Sequence, residues 1–232
     1  MNTNVRQYSI VTMLVVSGFM LVNGLYKMFH FQDEVSQGAI YRIMFFHIPA
    51  AISSMMGFYV GAGMAIMYLW KRDLKYDALS AVINEVCLAF ALITLFTGMI
   101  WARIAWGIWW AVGDPRLTSY LICILIYAGY LMLRGSVQDP AQRASISAVL
   151  SLFAALDILI VWKSIEWWRG NHPGPVLSIR KGPGLIPPAW DALIYWNVLA
   201  IGLLIVAMIL IRLWQEKMQG EIDSLRRFAH EQ

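Results

Sequence analysis

Residues 78–100, ALSAVINEVCLAFALITLFTGMI, contain a single charged residue, Glu85. A helix rises about 1.5 Å per residue, and a membrane helix needs ~20 residues to cross a hydrocarbon layer of ~30 Å. The run has this length. It is rich in Leu, Ile and Ala and does not alternate with period two, which favours a helix over a barrel strand. It therefore predicts a transmembrane helix.

Five more apolar runs flank this one. The 232 residues are 59% hydrophobic and 14% charged, with mean hydropathy +0.61, a composition more apolar than a soluble core requires. We predict an all-α integral membrane protein with a single membrane domain over residues 1–232. It is a bundle of six transmembrane helices with a short interfacial tryptophan-rich segment. The predicted spans are 8–28, 40–70, 78–100, 115–133, 144–164 and 190–213.

The charges between the spans bear on orientation. Six spans put both termini on one side, and the compact group Lys71, Arg72 and Lys75 favours the cytoplasm for that side. The first span ends without small cleavage-site residues, so we expect it to be retained. Eight Lys and Arg residues remain on the outer side, where either an anionic ligand or solvated loops and lipid phosphates explain them. The net charge of +4 accompanies no nucleic-acid-binding motif.

The outer segment 101–119, WARIAWGIWWAVGDPRLTS, is dense in tryptophan. An interfacial aromatic belt is expected in both leaflets, yet the inner side offers mainly Trp70 and Trp214. A short interfacial helix would place three of the indoles on one face. The segment is therefore either a belt or a platform for a flat aromatic ligand. Its four tryptophans are Trp101, Trp106, Trp109 and Trp110.

The end of this segment predicts a helix start. Asp114 suits the N-cap and Pro115 the first helical position, so the positive end of span four points outward beside Arg116. Free backbone N–H groups and a guanidinium suit a carboxylate ligand, with Arg103 or Arg169 as further cations. An ordinary capped span with an arginine directed to lipid phosphate fits the same residues.

Two histidines are placed near this surface. His47 lies near the outer end of span two, and Pro49 leaves the Phe45 carbonyl without its helical donor, which predicts a kink or helix start. His172 lies in the outer Pro/Gly-rich loop 167–190, which we expect to be ordered but irregular. Neutral imidazole is a common haem ligand, so the pair fits a six-coordinate haem. The alternative for each is a hydrogen-bonded interfacial histidine.

Four residues inside the spans have a structural interpretation. Cys87 and Cys123 lack metal-ligand spacing, and we expect them to be packing residues. Glu85 and Asp157 are candidates for a proton or ion path, because a carboxylate in a membrane is costly. Their spacing forms no clear relay, which favours a structural role.

Three ordered motifs resemble one family. The stretch WGIWWAVGDPRLTS resembles the tryptophan-rich signature of membrane proteins that handle haem in cytochrome c biogenesis. RIMFFHIPAA, containing His47, and SIEWW followed by His172 resemble the two histidine regions of the haem exporter protein C (cytochrome c maturation protein C) family. The resemblance covers nearly the whole chain.

The resemblance implies a protein of the bacterial inner membrane that binds haem b on the periplasmic face. It implies that haem passes to a periplasmic haem chaperone, with ABC transporter subunits and a small single-span subunit as further partners. The axial ligands carried over are His47 and His172. The implied platform and polar residues are Trp106, Trp109 and Trp110, with Trp101 beside them, and Asp114 and Arg116, with Arg103 as a further propionate partner.

The signature departs from the family pattern W-W-x-W-D-x-R-L-T at one place. Here Ala111, Val112 and Gly113 separate Trp110 from Asp114, so one residue is added and the third tryptophan is absent. We expect an altered local turn and one lost ring contact. Two other functions fit parts of the chain: a cytochrome c haem lyase, which shares the signature, and a transporter of haem or protons.

Overall fold

Six long helices form the described part of the chain, which in this computed structural model covers residues 3–168, 170, 172 and 188–230. All six are long and apolar enough to cross a membrane. A short 3-10 helix, Ala39–Ile43, precedes the second. The all-α, six-helix prediction is thereby confirmed. The helices are α1 Thr3–His30, α2 Met44–Lys71, α3 Leu74–Ala105, α4 Pro115–Ser136, α5 Pro140–Trp167 and α6 Pro188–His230.

Three helices begin at an aspartate that caps them. Asp73 accepts the Lys75 N–H at 3.0 Å at the start of α3, and Asp139 accepts the Gln142 N–H at 2.6 Å at the start of α5. Asp114 caps α4 in the same way and is followed by Pro115 at the first helical position. The predicted N-cap of span four is therefore confirmed. Each cap satisfies backbone donors that a helix start would otherwise leave unpaired.

The centre of the bundle is packed by aromatic and small residues. The rings of Phe58 in α2 and Tyr127 in α4 stack at 3.7 Å. A side chain at Gly57 would collide with the Cys87 sulfur, so this glycine lets α2 and α3 approach closely. Cys87 and Cys123 are 0% and 3% exposed and form no disulfide, consistent with packing roles.

Two ion pairs join helices. Arg134 of α4 contacts both carboxylate oxygens of the buried Asp77 of α3, at 2.6 and 2.9 Å. The Arg212 Nε of α6 lies 3.0 Å from Glu85 Oε1. Glu85 is thus part of a helix–helix contact, which supports its structural interpretation. Asp157 is buried in α5.

The outer end of α2 is completed by α6. Pro49 lies inside α2, and the Phe45 carbonyl it deprives of a donor accepts a 2.7 Å hydrogen bond from Asn197 Nδ2. The helix therefore starts at Met44 and continues through the proline. Nearby, Trp190 of α6 stacks on Tyr41 at 4.4 Å. This contact packs α6 against the 3-10 helix that precedes α2.

The last helix extends well past the predicted span 190–213. It is continuous to His230, so roughly 25 Å of helix follows residue 213 at about 1.5 Å per residue. The extension carries surface ion pairs such as Lys217–Glu221 at 3.7 Å. It lies at the end of the bundle opposite the tryptophan-rich segment, which we call the inner end; the end carrying that segment is the outer end.

Candidate functional site

His47 is fixed between α2 and α3 at the outer end. Its Nδ1 lies 2.9 Å from the Thr97 hydroxyl oxygen, and a Cβ on Gly98 would lie 3.1 Å from His47 Cε1. The imidazole therefore fills the space that the missing side chain of Gly98 leaves on α3. The result is a half-buried ring with a hydrogen bond on one nitrogen.

Asp114 connects the start of α4 to the segment that carries His172. One carboxylate oxygen, Oδ1, accepts the N–H groups of Arg116 and Leu117 at 3.0 and 3.1 Å. The other, Oδ2, accepts the His172 N–H at 3.2 Å. A Cβ on Gly170 would lie 2.7 Å from Oδ2, so the chain passes directly over this carboxylate.

The fold brings the two predicted histidines into one neighbourhood. His172 and Arg116 are both close enough to the His47 imidazole for their charges to act on it. His47 is supplied by α2, Arg116 by the first turn of α4, and His172 by the segment after α5. Most of the predicted loop 167–190, including Arg169, lies outside the described residues. Three cationic or basic groups from three parts of the sequence thus lie in the same region of the outer end.

The two candidate arginines differ in their contacts. The Arg103 guanidinium donates to the Gly107 carbonyl and thereby closes the last turn of α3. Arg116 is half-buried, and its guanidinium forms no hydrogen bond or salt bridge with any described residue. Arg116 is therefore the better-placed cation for an anionic ligand.

The tryptophan-rich segment is not helical after Ala105, so no helix brings Trp106, Trp109 and Trp110 onto one face. α3 continues five residues past the predicted end of span three and then gives way to turns and bends. Gly107 and Gly113 have φ values of 77° and 86°, in the region that favours glycine. These two glycines end the helix and return the chain to the start of α4.

The indoles of this segment are held to different degrees. Trp101 lies within α3, where its Nε1 donates to Gln37 Oε1 at 2.9 Å, and it packs edge-on against Trp106 at 4.9 Å. Trp109 is 55% exposed, whereas Trp110 is half-buried. Trp101 and Trp106 form a packed pair, and the ring of Trp109 is exposed.

A second aromatic pair lies at the end of α5. Trp167 and Trp168 are 58% and 51% exposed, with their rings in edge contact at 5.7 Å. They precede Gly170 and His172 directly in the chain. Exposed indoles therefore occur both within the signature, at Trp109, and close to the second histidine in the sequence.

The donor set is chemically selective. Among the described residues, no group of three or more His, Cys, Asp or Glu side chains is arranged to hold a bare metal ion. Two imidazoles can complete a metal that arrives with four equatorial ligands of its own, as haem iron does. Indoles pack on a planar ring, and Arg116 suits a carboxylate. The residues present fit a haem.

Some residues of this site carry no sequence signal. Thr97 lies in an apolar run and Gln37 in a short loop, and neither belongs to a recognisable motif. Gln37 is positioned by Glu34, whose carboxylate accepts the Ser36 hydroxyl at 2.6 Å and the Gln37 N–H at 2.6 Å. The same bonds, led by that of Ser36, hold the pKa of Glu34 below its usual value. The contacts of Thr97 with His47 and of Gln37 with Trp101 each join residues that are 50 or more positions apart in the sequence.

Comparison with known proteins identifies the family of the chain. The family model described as "Heme exporter protein C" covers residues 2–227. Proteins of that name from Bradyrhizobium diazoefficiens and Paracoccus denitrificans are 33% and 32% identical, over 89% and 88% of this chain and 78% and 84% of their own lengths. The one from Escherichia coli K12 is 31% identical over 78% of this chain and 71% of its own. The chain therefore belongs to the haem exporter protein C family.

Proposed function

We propose that this protein binds haem b at the outer end of its helix bundle and delivers it to a haem chaperone during cytochrome c maturation. The observation that carries the proposal is that His172 and Arg116 lie close enough to His47 for their charges to act on it, at the end of the bundle that also carries exposed indoles. The two imidazoles are the axial ligands, and Arg116 faces a propionate. Trp106, Trp109 and Trp110 are the platform, supported by Trp101.

The two proposed ligands come from different parts of the chain. His47 belongs to the long helix α2 and is in contact with α3 through Thr97 and Gly98. His172 follows α5 in the sequence, and its backbone N–H donates to Asp114 at the start of α4. The proposed site therefore joins four helices.

The proposal extends to location and partners. We place the protein in the bacterial inner membrane with both termini in the cytoplasm and the haem site facing the periplasm. The tryptophan-rich face then meets a periplasmic haem chaperone. ABC transporter subunits and a small single-span subunit are the proposed membrane partners, in keeping with the word "exporter" in the relatives' names.

The proposed role is binding and delivery without a catalytic step. A haem lyase would form thioether bonds on a C-x-x-C-H peptide, and a transporter would move haem or protons across a sealed vesicle. Delivery instead predicts stoichiometric transfer to the chaperone, with neither thioether formation nor flux. The pairing of Glu85 with Arg212 gives Glu85 a structural role. Of the two acids that suggested a transporter, Glu85 and Asp157, the first is thereby accounted for.

An absorption spectrum of the purified protein tests the proposal. The haem-loaded protein is expected to be low-spin and bis-histidine. His47→Ala and His172→Ala should each abolish that spectrum, because each removes one axial ligand. The matched control is His30→Ala, since His30 bonds the Tyr26 carbonyl within α1 at 2.7 Å.

Three results decide the outcome. Loss of the low-spin spectrum in both ligand variants with His30→Ala unchanged supports the proposal. A protein that cannot be loaded with haem contradicts it. Equal effects of all three substitutions contradict the ligand assignment.

A further inference from the structure

The contacts of the Thr97 hydroxyl favour one direction for its hydrogen bond with His47. The hydroxyl has one proton, and its oxygen lies 2.8 Å from the Ile93 carbonyl and 3.1 Å from the Thr94 carbonyl. A carbonyl only accepts, so both contacts favour a hydroxyl proton directed into α3. The hydroxyl oxygen, 2.9 Å from His47 Nδ1, then offers a lone pair to the ring. This arrangement favours Nδ1 as the donor.

The backbone around the ring favours the same direction. The carbonyl of Thr94 also interacts with the His47 side chain, and it too can only accept. In a neutral imidazole one nitrogen carries the proton and the other the lone pair. With the proton on Nδ1, the lone pair is on Nε2, the ring atom on the side away from Thr97.

We propose that Thr97 is a positioning residue that holds His47 in its Nδ1–H tautomer with Nε2 presented to the haem iron. This inference rests on the proposed function for the identity of the ligand. Histidines that bind metals almost always donate their other ring N–H to a nearby acceptor, which fixes the ring and raises its basicity. Gly98 contributes by leaving room for the ring, and Thr97 determines which nitrogen is free.

The tautomer is measured in the ligand-free protein by nitrogen NMR with 15N-labelled histidine. The His47 signal is identified by its loss in His47→Ala. We expect a protonated Nδ1 and an unprotonated Nε2 in the wild type. Thr97→Val keeps the branched shape but removes the acceptor, and it should give a mixture of tautomers. Thr97→Ser keeps the hydroxyl and should restore the wild-type signal.

Haem retention gives a second readout. Loss of such an outer partner typically costs about 10–100-fold in metal affinity, so Thr97→Val should release haem faster by that order. Thr97→Ser should stay near the wild type. Thr12→Val, which removes an exposed threonine of α1 far from the site, is the matched control and should change nothing.

The results that overturn the inference are specific to Thr97. One is a wild-type His47 protonated on Nε2. Another is a Thr97→Val protein with wild-type tautomer and wild-type haem retention. If Thr97→Val does not fold, the wild-type tautomer and the Thr97→Ser protein decide. A wild type that binds no haem contradicts the proposed function, while the ligand-free NMR measurement still decides the role of Thr97.

Discussion

At the scale of single residues, the structure distinguishes the two arginines that the sequence offers as propionate partners, Arg116 and Arg103. Arg103 donates to a carbonyl of its own chain segment, so its charge serves the end of α3. Arg116 is half-buried in the first turn of α4, where Asp114 accepts the first backbone N–H groups. The guanidinium is therefore the group at this helix start that an anion would contact. The position in the fold, and not the charge, distinguishes the two residues.

Replacing Arg116 by Gln should weaken haem binding more than replacing Arg103 by Gln. A hydrogen bond to a charged group contributes about 1.5–3 kcal/mol, so we expect roughly 10–100-fold for Arg116→Gln. Haem titration followed by absorbance measures both dissociation constants. Mesohaem dimethyl ester, which lacks the propionate charges, should bind both variants alike. If Arg103→Gln loses as much affinity as Arg116→Gln, the assignment of Arg116 is incorrect.

At the scale of elements, the cap of α4 is also the attachment of the His172 segment. Asp114 is 4% exposed, and its two oxygens divide these contacts between them. The helix start and the second histidine are therefore positioned by a single carboxylate. A change that loosens one of them loosens the other.

Asp114→Ala should therefore have two effects, and Asp139→Ala only one. Asp139 is a matched control, because it caps α5 with a proline at the first helical position in the same way. Each substitution should lower the free energy of unfolding by about 0.5–2 kcal/mol, measured by thermal melting in detergent. Only Asp114→Ala should convert part of the haem to a high-spin form, because it removes the carboxylate that accepts the His172 N–H. Identical haem spectra in the two variants would show that Asp114 caps α4 without positioning His172 as a haem ligand.

At the scale of the whole molecule, the proposed orientation is open to chemical labelling. Both native thiols are buried, so a membrane-impermeant maleimide meets little background. Val35 is fully exposed in the loop between α1 and the 3-10 helix, and Ser224 is exposed on the α6 extension. The two positions lie at opposite ends of the bundle.

In intact spheroplasts, Val35→Cys should react with the maleimide and Ser224→Cys should not. Permeabilised cells should label both variants, which shows that each thiol is reactive. This result follows if the tryptophan-rich end faces the periplasm. Labelling of Ser224→Cys alone in intact spheroplasts would reverse the proposed orientation.

The apolar runs of the sequence were sufficient to predict six membrane helices, since burial in lipid dictates their length. The cap at Asp114 was also predictable, because capping depends on adjacent residues. The non-helical path of Trp106–Trp110 was not predictable from the spacing of the tryptophans. That spacing does not reveal that Gly107 adopts a positive φ, which ends the helix. The contact of Thr97 with His47 depends on how α2 and α3 are rotated against each other. The residues adjacent to each position in the sequence do not indicate that rotation.

The hydrogen bond from Asn197 to the Phe45 carbonyl has a consequence for biosynthesis. A ribosome makes Phe45 about 150 residues before Asn197, the residue that donates to its carbonyl. Until the sixth span has entered the membrane, the carbonyl beside His47 has lost its helical donor and not yet gained its replacement. The outer end of α2, which carries the proposed ligand His47, is therefore completed only after α6 has packed against it.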